Sequence, residues 1–258
     1  MTKIVGILNI TPDSFSDGGK FNTAENALFQ TKKLIEDGAD MIDIGAESTR
    51  PGAKALTPEQ EMLRVQDILP EIIAFVKEYN AKNLTNIETA IDSYHFETIK
   101  FAFECEVDVI NDVTGLRDER VVEFVAQNCI KTVLMHNLEV KFDENIVINN
   151  GLGAAGKVYA WGLRKISELQ KKGVKKSQLI FDPGIGFGKN AQQNINILKN
   201  ISVFHDLGVP IYVGHSKKRF LSEVFKKSDD KVMKTAAVSA FLVKGGVGYI
   251  RVHDVKSL

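Results

Sequence analysis

The feature of this 258-residue chain that most restricts its fold is a series of short apolar runs, each stopping at a polar or charged side chain. KIVGIL stops at Asn9, MIDI leads to Glu47 and Arg50, IETAI stops at Asp92, and VDVI stops at Asn111. TVLM stops at His136, QLIF at Asp182, IYVG at Ser216 through Lys218, and GYI at Arg251 and His253. Continuous Val/Ile/Leu runs belong to strands buried on both faces, as in a parallel sheet. Chemically capable side chains at the C-terminal ends of several such strands mark the active face of a β/α barrel. The expectation is an α/β enzyme with a single TIM-type (β/α)8 barrel.

Between the runs lie segments of helical length. They are expected at Thr23–Asp37, Thr57–Glu78, Ser93–Glu104, Arg117–Asn128, Gly156–Lys172, Gln192–Asp206 and Lys231–Lys244. Thr57-Pro58-Glu59-Gln60 supplies an N-cap, a proline at the first helical position and a capping-box glutamine. Ser93 is expected to cap the helix that follows it. No Pro/Gly/Ser-rich linker interrupts the alternation, so one domain over 1–258 is expected. Two long loops, Thr11–Asn22 and Gly45–Leu56, are rich in Gly, Ser, Thr, Pro and Asp, and loops of this length often cover substrate. Only His253–Leu258 follow the eighth run, so the last barrel helix is expected to be truncated or absent.

Composition narrows the function classes. Basic and acidic residues number 33 each, which gives no bulk electrostatic case for nucleic acid or membrane. The apolar share of 44% is enough for a large core. Cys105 and Cys129 lack metal-ligand spacing and are expected as reduced, partly buried thiols of a cytoplasmic protein. The first residues lack the pattern of a signal peptide, and no apolar stretch approaches the roughly 18 residues of a membrane span.

The strand ends carry the chemistry. Asn9 opens the loop Ile10-Thr11-Pro12-Asp13-Ser14-Phe15-Ser16-Asp17-Gly18-Gly19, and its amide oxygen suits a hard cation such as Mg²⁺ held beside a phosphate. Arg251 and His253 alternate on one strand and therefore share a face, a setting for an anion. No Ser or Cys sits in an activated nucleophilic setting. The GxGxG within DPGIGFG lacks the strand-turn-helix context of a dinucleotide site.

The run GILNITPDSFSDGG, with DIGAESTRPGA after the second strand, resembles the signature motifs of dihydropteroate synthases. The resemblance continues in order through ID at Asp92, INDVTG, LMH, DPGIGFGK, GHSKKRFL and RVHD. It implies a barrel enzyme that condenses 6-hydroxymethyl-7,8-dihydropterin diphosphate with p-aminobenzoate, releasing pyrophosphate and giving 7,8-dihydropteroate for folate synthesis. It also implies a sulfonamide target, small-molecule partners and a possible homodimer.

Residue by residue, the resemblance implies a pterin set of Asp92, Asn111, Met135, Asp182 and Lys218. A pterin presents an amino group and a ring N–H side by side, and the Asp182 carboxylate can accept both. Asp92 would stabilise positive charge on the pterin, and Lys218 would reach its oxo group. Asn9, Arg251 and His253 would hold the diphosphate, with Asn9 on Mg²⁺. Asp92, Lys218, Arg251 and His253 are the expected catalytic groups. Phe187 and the stem of Lys218 would wall the p-aminobenzoate ring, with Phe15, Thr49, Arg50 and Pro51 closing over it. Asp17 and Arg50 would form a loop-to-loop ion pair. His136 reads as structural.

The chain departs from the family pattern at Lys217, where arginine is usual, at Ser93 in place of threonine, and through 137–153. A methyltetrahydrofolate-dependent corrinoid methyltransferase shares the pterin contacts but not the TPDSFSDGG and STRPG loops. A non-catalytic pterin-binding barrel would have lost reactive residues that are all present here.

Overall fold

The computed structural model describes residues 1–10, 21–47, 55–138, 148, 153–225 and 229–258. Each apolar run forms a strand: β1 (Lys3–Asn9), β2 (Met41–Gly45), β3 (Glu88–Asp92), β4 (Val109–Asp112), β5 (Lys131–Met135), β6 (Leu179–Asp182), β7 (Tyr212–Gly214) and β8 (Tyr249–Val252). All pairings are parallel, in the order β6-β5-β4-β3-β2-β1-β8-β7. A single parallel bridge between Phe181 and Ile211 joins β6 to β7, so the sheet closes on itself.

Strand side chains alternate between the two sides of the sheet. One residue from each strand points inward to make a single apolar layer: Val5, Met41, Ala90, Val109, Val133, Ile180, Tyr212 and Tyr249. The outward residues, such as Ile42, Ile91, Ile110, Leu134, Phe181 and Ile250, pack beneath the helices in a second, larger core. Two-sided burial explains the unbroken apolar runs. Two residues below the layer, Glu88 bonds the ammonium groups of Lys3 at 2.6 Å and Lys131 at 2.8 Å. That ion cluster fills the N-terminal end of the barrel.

The helices are α1 (Phe21–Glu36), α2 (Pro58–Val65), α3 (Leu69–Asn83), α4 (Phe96–Glu104), α5 (Glu119–Asn128), α6 (Ala154–Lys171), α7 (Ala191–Lys199), α8 (Phe220–Val224) and α9 (Lys231–Lys244). The Thr57 capping box forms as expected, with reciprocal Thr57–Gln60 bonds. The single helix expected over Thr57–Glu78 is instead broken between α2 and α3. Pro70 lies in the first turn of α3, where its missing N–H costs nothing; within one continuous helix it would clash with the carbonyl of Gln66. Similarly, the segment expected as Gln192–Asp206 divides into α7 and a 3₁₀ turn at Ile201–Leu207.

Ser93 does not cap α4, which starts three residues later. Its hydroxyl donates to the buried Glu61 carboxylate at 2.7 Å and accepts from the His95 N–H. Residues 253–258 form turns rather than a helix, and Val255 is buried against the core. Cys105 is partly buried, but Cys129 is exposed at the C-cap of α5, contrary to expectation. Among the described residues no helix is long and apolar enough to cross a membrane.

Candidate active site

Because side chains on a strand repeat every two residues, the next inward layer lies two positions beyond the apolar one. It consists of Ile7, Asp43, Asp92, Asn111, Met135, Asp182, Gly214 and Arg251. Three carboxylates, an amide and a guanidinium thus surround the axis of one barrel at its C-terminal end. The Arg251 Nε donates to Asp43 Oδ2, and its Nη2 donates to Asp92 Oδ2 at 2.6 Å. Asn111 Nδ2 donates to the same Asp43 oxygen at 3.1 Å. Asp43 is fully buried, and its Oδ1 is among the buried polar atoms with no hydrogen-bond partner.

Two acids now share one base, and the ionisation of the group follows from that. Burial raises the Asp92 carboxyl to about 7; Arg251 opposes the shift, whereas Asp43, Glu61 and Glu47 add to it. Burial raises Asp182 to about 6, against the Gly184 N–H and the nearby lysines. Burial lowers Lys218 to about 8, with Asp182 resisting. Burial opposes the charge on Arg251, but Asp43 and Asp92 outweigh it and hold the guanidinium firmly protonated. Perturbed acids and bases gathered in one cleft are the mark of a functional site.

The loop after β6 builds the next wall. Asp182 Oδ1 accepts from the Gly184 N–H at 2.7 Å. Gly184 has a φ of +67°, and a Cβ there would lie 1.9 Å from the His136 carbonyl oxygen, so only glycine fits. Lys218 Nζ donates to the Ile185 carbonyl and lies 4.7 Å from the centre of the Phe187 ring. The Lys218 ammonium and the Phe187 ring are therefore neighbours. Just before Lys218, Lys217 adopts a left-handed φ of +58°. This turn sends Lys217 outward while Lys218 returns toward the barrel.

On the outer side of the rim, Asn9, Lys217, His253 and Asp254 line a cleft of about 330 Å³ with Lys33 of α1 and Asp37 just beyond its end. His253 Nδ1 lies 3.0 Å from Ser216 Oγ, which also accepts the His253 N–H. Asn9 and His253 thus share a cleft, while the Arg251 guanidinium is turned inward to the two carboxylates. Met135 is buried at the end of β5, in register with Asp182. Phe15, Asp17, Thr49, Arg50 and Pro51 lie outside the described residues.

Among the described residues no set of three or more His, Cys, Asp or Glu side chains is gathered to hold a metal. Sequence reasoning misses Asp43, which sits within its apolar run rather than at the end. It also misses Lys189, a buried lysine at the close of DPGIGFGK. The layer spacing is a signal for the first; no local signal marks the second.

Comparison with known proteins agrees with this geometry. Residues 5–253 match the family model described as "Pterin binding enzyme". The chain is 33% identical over 259 residues to the dihydropteroate synthase of Bacillus subtilis (strain 168), spanning all of this chain and 85% of that protein. It is 35% identical over 254 residues to a probable bifunctional folylpolyglutamate synthase/dihydropteroate synthase of Halobacterium salinarum, spanning 98% of this chain but 30% of that longer protein. The fold superposes on Xanthomonas albilineans dihydropteroate synthase with 4-aminobenzoic acid at a TM-score of 0.86 and 32% identity, covering 99% of this chain and 89% of that one. With a closed parallel barrel, an acidic and amide-lined mouth, and relatives matched along its whole length, this chain belongs to the dihydropteroate synthase family of pterin-binding enzymes.

Proposed function

We propose that residues 1–258 act as one pterin-binding domain that joins 6-hydroxymethyl-7,8-dihydropterin diphosphate to p-aminobenzoate, yielding 7,8-dihydropteroate and pyrophosphate. The observation that carries this reading is the convergence of Asp92, Asn111, Asp182 and Arg251 in one inward layer, with Lys218 beside it. A buried carboxylate such as Asp182 is costly unless it meets donors. The amino group and ring N–H of a pterin would supply two, in a bidentate pair. Asn111 has given its Nδ2 to Asp43, which leaves its carbonyl oxygen to accept from the ring. Lys218 would exchange the Ile185 carbonyl for the pterin oxo group, and Met135 would pack against the ring.

The reaction breaks the bond between the pterin methylene and the diphosphate oxygen, then forms a bond from that carbon to the aryl amine, which gives up a proton. Asp92 beside the ring would stabilise positive charge on the departing methylene. Asn9, His253 and Arg251 would take the charge of the diphosphate, with Arg251 passing its Nη2 from Asp92 to the phosphate oxygens while Asp43 keeps its Nε. Asn9 Oδ1 suits a Mg²⁺ ion held chiefly by phosphate oxygens and water, which is that ion's preferred setting. The ion would supply charge neutralisation at the leaving group. Phe187 would wall the aromatic ring of p-aminobenzoate, with Phe15, Asp17, Thr49, Arg50 and Pro51 covering it.

The test is pyrophosphate release from the pterin diphosphate with and without p-aminobenzoate. Release coupled to dihydropteroate formation, and abolished by excess chelator, is expected. No condensation would overturn the function, and full activity in chelator would remove the metal.

We place the enzyme in the cytoplasm, where secretion of the native chain would contradict it. Pairing of two copies through the late helices is supported by Met233, Phe241 and Val243 of α9, each about half exposed. Light scattering at the mass of one chain would exclude that pairing.

A further inference from the structure

Lys189 is 4% exposed and takes no part in the mechanism above. Its ammonium reaches the carbonyl oxygens of Gly184 and Phe187, both at 2.8 Å, and of His136 at 3.2 Å. His136 Nδ1 also lies 2.9 Å from the Lys189 nitrogen. Burial pushes the Lys189 pKa well down, with Lys218 adding to the shift and Asp182 opposing it. The three carbonyls around the nitrogen act the other way: a neutral amine has two N–H groups, too few for all three, and this coordination favours the ammonium form. The His136 ring beside it is held neutral: burial lowers its pKa to about 2, and the charge of Lys189 adds to the effect. An unprotonated Nδ1 can then share one ammonium N–H with the His136 carbonyl, the longest of the three carbonyl contacts. The LMH and DPGIGFGK motifs meet at this point.

The loop after β6 therefore runs between two lysines. Lys189 grips the carbonyls of residues 184 and 187 from the buried side, and Lys218 grips the carbonyl of residue 185 from the substrate side. Asn194 adds a brace, accepting from the Gly186 N–H at 2.8 Å and donating to the Lys189 carbonyl at 3.2 Å. The held backbone has two functional outputs. The Gly184 N–H fixes the Asp182 carboxylate, and the segment carries Phe187. Once Lys218 turns to substrate, the Ile185 carbonyl loses its donor, and Lys189 is the cation left to keep the loop in register.

From this geometry we infer that Lys189 is a positioning residue, a buried ammonium that locks the 183–188 loop so that Asp182 and Phe187 stay aligned when Lys218 leaves the Ile185 carbonyl for substrate. The inference rests on the pterin-site reading above. It assigns Lys189 to substrate affinity rather than to the bond-making step, because the charged groups around the reacting carbon remain when Lys189 is removed.

The test is Lys189→Met, which keeps length and bulk and deletes the charge. The KM for both substrates should rise roughly 10- to 100-fold, the scale on which removing a supporting hydrogen-bond partner weakens a site. The kcat should change far less than the KM. A merely structural role gives the opposite split, with unchanged KM and a kcat lowered in proportion to the folded fraction, and that result overturns the inference. So does binding of 6-hydroxymethylpterin to the variant with the parent's affinity. If the parent itself does not bind 6-hydroxymethylpterin, the function reading fails instead. Nitrogen-15 NMR of the parent then tests the lysine contact independently of any variant's folding. A neutral His136 with Nδ1 unprotonated supports the inference, and a proton on Nδ1 rules it out.

Discussion

At one end of the barrel Glu88 lies between Lys3 and Lys131, and at the other Asp43 and Asp92 crowd onto the single guanidinium of Arg251. Both clusters point inward from the same eight strands, on either side of the same apolar layer. At the N-terminal end cations outnumber the acid. Burial tends to raise the Glu88 pKa, but the two lysines outweigh it and the net shift is downward. At the C-terminal end acids outnumber the nearest base, and Asp92 and Asp182 rise to about 7 and about 6. The first cluster is satisfied within the fold, whereas the second leaves acids short of donors, which on the proposed reading a substrate would supply. This division follows the rule that the C-terminal face of such barrels carries chemistry and the opposite face carries stability.

The largest effect that would sharpen this contrast is on turnover. Asp92→Asn should lower kcat by on the order of 10²–10³, as expected when one charged contact to a developing transition state is lost. Its thermal midpoint should match or exceed the parent's. A raised carboxyl pKa means the folded state binds the proton more tightly, so between about pH 4 and 7 stability falls as pH rises, and asparagine removes that loss. A normal kcat would break the comparison.

Next in size is pH dependence. On the proposed reading, a pterin is bound by an ionised Asp182 and a protonated Lys218, so kcat/KM should follow a bell. Its acid limb should fall between about pH 6 and 7, the range of the raised Asp182 and Asp92 carboxyls, and its alkaline limb near pH 8. A flat profile from pH 5 to 9 would remove these groups from recognition.

The smallest kinetic effect belongs to the far end. Glu88→Gln should leave kcat/KM nearly unchanged while costing about 1.5–3 kcal/mol, the range for hydrogen bonds to a charged group. The folded pKa of Glu88 is depressed, so its contribution is present above the unfolded value near 4.5 and is lost as pH falls through the folded one. Denaturant melts of parent and variant at pH 7 measure the difference directly.

Much of this architecture is legible in the amino-acid sequence. The eight runs become eight strands because two-sided burial leaves no room for polar alternation. Asp92, Asn111, Asp182 and Arg251 stand out because they lie at or near strand ends. Asp43 escapes notice because it interrupts MIDI from within; its position becomes obvious only once Met41 is known to face the barrel axis. Lys189 reads as part of a glycine-rich loop, since nothing local reveals that three backbone carbonyls fold back around its nitrogen. Ser93 has the look of a helix cap, yet the buried Glu61, far away in sequence, offers its hydroxyl a better partner. Contacts made across long separations are what a local reading cannot supply.

The central claim is that this inward polar layer recognises a pterin through Asp182. Calorimetric titration of 6-hydroxymethylpterin into the parent and into Asp182→Ala tests it most directly. The account predicts measurable binding to the parent and none to the variant, with both chains folded. Equal affinity for the two chains would contradict it.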